Sequence, residues 1–141
     1  NDLGMSCDAE TIKAISNYSL ETYENVHHLV ATIVGKLRED EDVFSLIKNI
    51  FPGGSITGAP KLASIEAIDK VEKHNRNVYT GSVGYISFNQ NCDLNILIRT
   101  ILKVNDRCYF SGGGAITWDS EMNSEYDETI QKSKKVYEAL I

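Results

Sequence analysis

Three apolar stretches follow one another between residues 78 and 116: VYTGSVGYISF (78–88), CDLNILIRTILKV (92–104) and RCYFSGGGAI (107–116). Only Asn89-Gln90-Asn91 and Asn105-Asp106 separate them. Stretches of this composition read as strands, and links this short and this rich in Asn and Asp favour antiparallel hairpins. In the second stretch Leu94, Ile96, Ile98 and Thr100 face one way, and Asn95, Leu97, Arg99 and Ile101 the other. Around this block the period changes to that of helices. EDVFSLIKNI (41–50) reads as a short amphipathic helix ending at the Phe51-Pro52-Gly53-Gly54 turn. Between Ala59 and Lys73, residues Leu62, Ile65, Ala67, Ile68 and Val71 recur at helical spacing, and a closing helix is expected from about Ser124 to Leu140. The segment from Asp8 opens with polar, helical character and becomes strand-like at VHHLVATIVGKL, where Val26, Val30, Thr32, Ile33 and Val34 are β-branched. The expected class is α+β, antiparallel strands flanked by helices.

At 141 residues and 42% hydrophobic, the chain is one ordinary globular domain or a piece of a larger one. No apolar run approaches the roughly 20 residues of a membrane span. The start, NDLGMSCDAE, has neither the basic residues nor the apolar core of a signal peptide, and its lack of an initiator methionine hints at a longer protein. Cys7, Cys92 and Cys108 are odd in number and lack C-x-x-C spacing, which points away from a disulfide framework or zinc site and toward a reducing cytoplasm. A net charge of -6 with no basic stripe argues against a nucleic-acid partner. An anionic ligand would therefore need cations placed locally.

FPGGSITGAPK (51–61) has the two glycines of a phosphate-binding loop at the right separation. The lysine of such a loop must follow the second glycine directly, with a hydroxyl residue next. Here Ala59 and Pro60 intervene, and Leu62 follows Lys61. The segment reads instead as a loop leading into a helix, with Pro60 suited to the helix start.

Five features could carry chemistry. Arg99 stands in an apolar strand, and burying a guanidinium there requires an anion, either an Asp or Glu of the protein or a ligand carboxylate. SGGGAI (111–116) ends a strand in three glycines, which suits either a tight strand exit or a concavity of backbone N–H groups facing an anion. Glu125 and Glu128, three apart near the start of the last helix, share a face. They suit a hard cation such as Mg²⁺, though acidic residues favour a helix N-terminus in any case and Glu128 with Lys132 forms an ordinary i,i+4 pair. His27 and His28 point to opposite faces of a strand, so at most one serves a given site, where it could move protons. Tyr79 begins a strand and could offer its phenol to a carboxylate.

Taken in order, NDLG (1–4), VHHLVAT (26–32), FPGGSITGAPK, YTGSVGYISF, DLNILIRT, SGGGAI and DSEMNSEYDET make the chain resemble the C-terminal part of the chorismate-utilising enzymes. That resemblance runs essentially end to end. It implies that residues 1–141 form the C-terminal portion of a chorismate-binding catalytic domain with a β-sandwich fold. Within the family, the wording of residues 51–61 is most similar to the para-aminobenzoate branch, since anthranilate synthases tend to carry threonine where Ser55 stands and serine where Thr57 stands. The resemblance implies a role for each matching residue. Glu128 would be a Mg²⁺ ligand, with Glu125 beside it acting through a water. Tyr79 and Arg99 would hold the enolpyruvyl carboxylate, helped by the backbone N–H groups of Gly113 and Ala115. His28 would lie close to the reacting ring, Ser55 would line the ring side of the pocket, and Lys132 would stand beside the metal carboxylates. Many relatives have glycine where Ala115 stands.

The implied activity is Mg²⁺-dependent amination of chorismate to 4-amino-4-deoxychorismate in the cytoplasm, with ammonia from a glutamine amidotransferase partner. The alternatives are an anthranilate synthase component and a non-catalytic remnant that binds a partner or chorismate. The family also uses a glutamate and a subtype-determining lysine upstream of the region matched here, so the isolated piece is expected to be inactive and to expose an apolar face.

Overall fold

The structure, a computed structural model, describes residues 1–23 and 27–140. Val26, expected to open a strand, lies outside the described residues. The chain divides into two compact units, Asn1–Ser55 and Ile56–Ile141.

In the first unit two 3₁₀ turns, Leu3–Met5 and Ala9–Thr11, precede strands β1 (Lys13–Thr22) and β2 (His27–Val34), and helix α1 (Val43–Ile50) follows. The polar segment expected to be helical is therefore strand β1. It pairs antiparallel with β2, from Lys13 opposite Val34 to Thr22 opposite His27. The register slips between Ala14 and Ser16 and again between Ser16 and Ser19, where Tyr18 takes φ 54°. Two extra residues thus break the alternation that would have marked a strand in the sequence. Cross-strand pairing with the β-branched β2 overrides the weak helical preference of β1.

Ser6, Cys7 and Val43 are the buried residues of this unit among those described. Ser6 accepts a hydrogen bond from Asn49 Nδ2 (2.8 Å) through its hydroxyl and one from the Arg38 backbone N–H (3.0 Å) through its carbonyl. Arg38 donates to the Met5 carbonyl (2.7 Å) and pairs with Glu41 (3.1 Å). At α1, Asp42 accepts from the N–H groups of Phe44 (3.0 Å) and Ser45 (2.8 Å), while the Ser45 hydroxyl accepts from the Asp42 N–H. This reciprocal cap satisfies donors that a helix start leaves unpaired.

Within FPGGSITGAPK a single helical turn, α2 (Gly54–Thr57), precedes α3 (Lys61–Val71), which Pro60 caps. The Asp2 carboxylate accepts the Gly54 N–H (2.8 Å) and so holds the start of the loop to the N-terminal segment.

In the second unit the expected hairpins form, but with shorter strands. Strand β3 (Ser82–Ile86) pairs with β4 (Cys92–Ile96), and β5 (Ile101–Val104) with β6 (Arg107–Phe110), followed by α4 (Met122–Glu138). Among the described residues the strands form three separate two-stranded sheets. Three expectations change. Residues 92–104 are not one strand: the chain turns between β4 and β5, with the Ile98 N–H on the Ile96 carbonyl (2.9 Å) and Arg99 at φ 52°. A left-handed residue reverses the side-chain alternation, so the facing assigned beyond Ile96 does not hold. Tyr79 does not begin a strand but sits in a turn, its N–H on the Arg76 carbonyl (2.9 Å). The glycine run lies beyond β6, in an irregular segment rather than at a strand end.

Candidate functional site

The second unit contains a cleft of about 100 Å³ lined by Tyr79, Ile98, Arg99, Ser111, Gly112, Gly113, Lys132, Ser133 and Val136. Four separate segments meet there: the turn before β3, the turn before β5, the glycine run after β6, and the middle of α4. Of the residues singled out in the sequence, the cleft brings together Tyr79, Arg99, Gly113 and Lys132.

Arg99 stands at the turn between β4 and β5, and its left-handed backbone costs strain that an arginine does not accept in an ordinary strand. Among the described residues it makes no ion pair. Of the two anions the sequence allowed, a protein carboxylate is therefore not the partner within this set.

The three glycines fit tightly against what surrounds them. A Cβ on Gly112 would collide with the Ser133 hydroxyl, and one on Gly113 would stand 3.1 Å from the Tyr79 hydroxyl. A Cβ on Gly114 would stand 3.3 Å from Glu125 Oε2 and 3.9 Å from Glu128 Oε1. The run thus lies across α4 and under the phenol, and missing side chains make that approach possible. Ala115, two residues beyond Gly113, is exposed.

On α4, Glu125, Glu128 and Lys132 follow at helical spacing. Lys132 forms an ion pair with Glu128, so its ammonium serves both the cleft wall and the acidic cluster. Glu125 accepts a hydrogen bond from the Ser120 hydroxyl (2.6 Å), and Ser120 in turn closes a turn with Thr117. Two carboxylates thus converge beside Gly114. No cluster of three or more His, Cys, Asp or Glu side chains occurs among the described residues. Two carboxylates nonetheless fit Mg²⁺, which takes oxygen ligands, usually one or two of them carboxylates, and keeps several waters.

His28 and Ser55 belong to the first unit. His28 lies on β2 opposite Glu21, half-buried, with its ring edge-on to Tyr23 at 5.6 Å between centroids. Its Nε2 is buried without a hydrogen-bond partner among the described residues, a state that asks for a further group. His27 points the other way, its Nδ1 3.2 Å from the Thr22 hydroxyl. Ser55 is exposed on α2.

The sequence reading missed Ser111 and Ser133, the hydroxyls of the cleft wall, and the Glu72–Arg76 pair behind Tyr79. Ser133 was within reach, since it follows Lys132 on the same helix. The Glu72–Arg76 spacing is also i,i+4, but it straddles the end of α3, where no helical rule brings the two together. The Arg76 guanidinium holds the Glu72 carboxyl below the ordinary glutamate value, and Glu72 raises Arg76 in return.

These residues and this architecture are those of a known class. The chain matches the chorismate binding enzyme family over residues 1–138 and belongs to it. It is 41% identical to aminodeoxychorismate synthase component 1 of Escherichia coli K12 over 140 residues, covering 99% of this chain and 31% of that protein. It is 39% identical to anthranilate synthase component 1 of Mycolicibacterium smegmatis over 140 residues, covering 99% of this chain and 27% of that one. Among solved structures, anthranilate synthase component I from Streptococcus pneumoniae TIGR4 superposes with a TM-score of 0.88 at 33% identity, over 96% of this chain and 31% of that one. The chain thus spans about a third of the length of these relatives. Its antiparallel strands and flanking helices are part of the fold of the chorismate-utilising enzymes, as the motifs implied.

Proposed function

We propose that the protein aminates chorismate at C4, giving 4-amino-4-deoxychorismate, and that residues 1–141 supply the carboxylate-binding half of its site. The observation that carries this reading is the cleft that gathers Arg99, Tyr79, Gly113 and Lys132 around one small space. Chorismate is a dianion, and a guanidinium, a phenol and a backbone N–H together suit one carboxylate. In this reading Arg99 and Tyr79 hold the enolpyruvyl carboxylate, the N–H groups of Gly113 and Ala115 add to the same cradle, and Lys132 offsets charge beside it. Ser55 lines the ring side. Holding the substrate at one end fixes the ring for attack, an effect worth several kcal/mol of barrier in general. Ammonia then forms the new C–N bond at C4 as the hydroxyl leaves as water, and the enolpyruvyl ether stays intact. His28, with its unpartnered Nε2, handles a proton in that exchange.

Glu128, with Glu125 beside it, would hold Mg²⁺, whose chemistry is that of a Lewis acid toward the ring carboxylate. A glutamine amidotransferase subunit or domain would supply the ammonia. The setting is the cytoplasm, in keeping with the unpaired cysteines Cys7, Cys92 and Cys108. No helix among the described residues is long and apolar enough to cross a membrane.

A second reading, anthranilate formation with loss of pyruvate, is favoured by the anthranilate synthase likenesses at nearly equal identity. What supports the first is the loop wording around Ser55 and Thr57 and the 41% identity to an aminodeoxychorismate synthase. The deciding experiment gives the full-length protein chorismate, ammonia and Mg²⁺, and reads product masses with and without a lyase that releases para-aminobenzoate. An amino product that keeps the enolpyruvyl group is expected. Anthranilate and pyruvate would transfer the protein to the second reading, and absence of turnover with an amidotransferase present would leave a non-catalytic binder.

A further inference from the structure

We propose that Arg76, clamped by Glu72, is a positioning residue for Tyr79, holding its phenol at the glycine run as a hydrogen-bond donor to a carboxylate in the cleft. The inference rests on the carboxylate-binding reading above.

Arg76 does not line the cleft; it lines a separate open groove of about 620 Å³ in the same unit, and Tyr79 is shared by both. The guanidinium carbon lies 5.9 Å from the Tyr79 ring centroid, so a cation faces the ring on the groove side while the hydroxyl reaches Gly113 on the other. Glu72, the residue that caps the end of α3, grips that guanidinium at two points: Nε lies 2.9 and 3.1 Å from its oxygens and Nη2 lies 2.5 Å away. A forked pair fixes the guanidinium plane, not only its charge.

The turn that carries Tyr79 needs such a hold. Asn77 and Thr80 flank it at φ 51° and 63°, left-handed values that a β-branched threonine resists. Strain of this kind persists only where neighbouring structure fixes it, and it collects at ligand-binding positions. Thr80 is held by its N–H on the Leu97 carbonyl (2.9 Å) and by Arg76 Nη1 against its hydroxyl (3.5 Å). Arg76 thus touches the turn at its acid, its ring and its threonine. A half-exposed ion pair stabilises a fold little. What this one does is set where the phenol points.

The test uses the full-length protein with ¹³Cζ-labelled tyrosine, the Tyr79 signal being the one absent from Tyr79→Phe. In Arg76→Met the Tyr79 ¹³Cζ signal at neutral pH is expected to move from its position in the unmutated protein, and an unmoved signal overturns the proposal. Chorismate binding is then measured in Arg76→Met, Tyr79→Phe and the double variant. We expect roughly tenfold weaker binding for Arg76→Met alone and little further loss in the Tyr79→Phe background. Equal losses in both backgrounds would reduce Arg76 to a structural role. Glu72→Gln run through the same cycle decides the matter if Arg76→Met does not fold. If the unmutated protein binds no chorismate, the functional reading falls, while the Tyr79 ¹³Cζ signal still decides the role of Arg76.

Discussion

At the scale of single residues, the cleft depends on one unpaired cation and on side chains that are missing. Arg99 has no acidic partner among the described residues, so its removal leaves no buried carboxylate behind. Arg99→Ala is therefore expected to keep the melting temperature and weaken chorismate binding by about 10- to 100-fold, the range of a charge-assisted hydrogen bond. Calorimetric titration checks this, and normal binding by a folded variant would remove Arg99 from the site. Glu128→Gln should abolish the Mg²⁺ dependence of binding while leaving Mg²⁺-free binding in place, read by titrating chorismate with and without the metal. Residue type marked Arg99, Tyr79 and the glycine run, because a cation among apolar neighbours and a triple glycine both need an explanation, whereas the site role of Lys132 came only with the family resemblance. It did not mark Ser133, which the glycine run meets in the cleft wall, or Arg76, whose pairing with Glu72 straddles the end of α3.

At the scale of elements, periodicity located α1, α3 and α4 to within a few residues, because their apolar residues recur at a spacing set by helix geometry. Strand β1 escaped it. Its two bulges shift the inward face twice, and no period survives that. The break between β4 and β5 also escaped, since Leu97-Ile98-Arg99-Thr100 is as apolar and β-branched as a strand, and only the left-handed Arg99 turns it. The β3–β4 pairing depends on Gly84, opposite Leu94: an added Cβ would run into the Asp93 carbonyl and come within 2.8 Å of the Leu94 Cα. Backbone cannot rotate aside as a side chain can. Gly84→Ala should cost about 1–3 kcal/mol of stability, the usual range for forced overpacking. Denaturant unfolding measures it, and a loss below a few tenths would show that the hairpin yields easily.

At the scale of the whole molecule, charge and burial make two predictions. Arg76 lowers the pKa of Glu72, so this carboxylate contributes stability above the ordinary glutamate value near 4.5 and loses it as pH falls through its lowered value. Arg76 is raised, so its own contribution persists through neutral pH. Between pH 6 and 3 the unmutated protein should lose more melting temperature than Glu72→Gln, and the difference should shrink in high salt because the pair is partly exposed. Burial is sparse: Leu29, Leu62, Phe88 and Trp118 are among the large apolar side chains left exposed. Residues 1–141 expressed alone are expected to bind a hydrophobic dye and to self-associate, and a monomeric, cooperative melt would contradict this.

The sequence by itself determined the class of fold, the helices, the hairpin links and the family, because these rest on local period, turn chemistry and motifs in a fixed order. Tertiary structure alone decided that Arg99 sits at a turn, that the glycine run lies across α4, and that the Tyr79 hydroxyl meets Gly113. Those facts depend on which segments pack together, and a linear pattern holds no record of contacts between residues far apart in the chain.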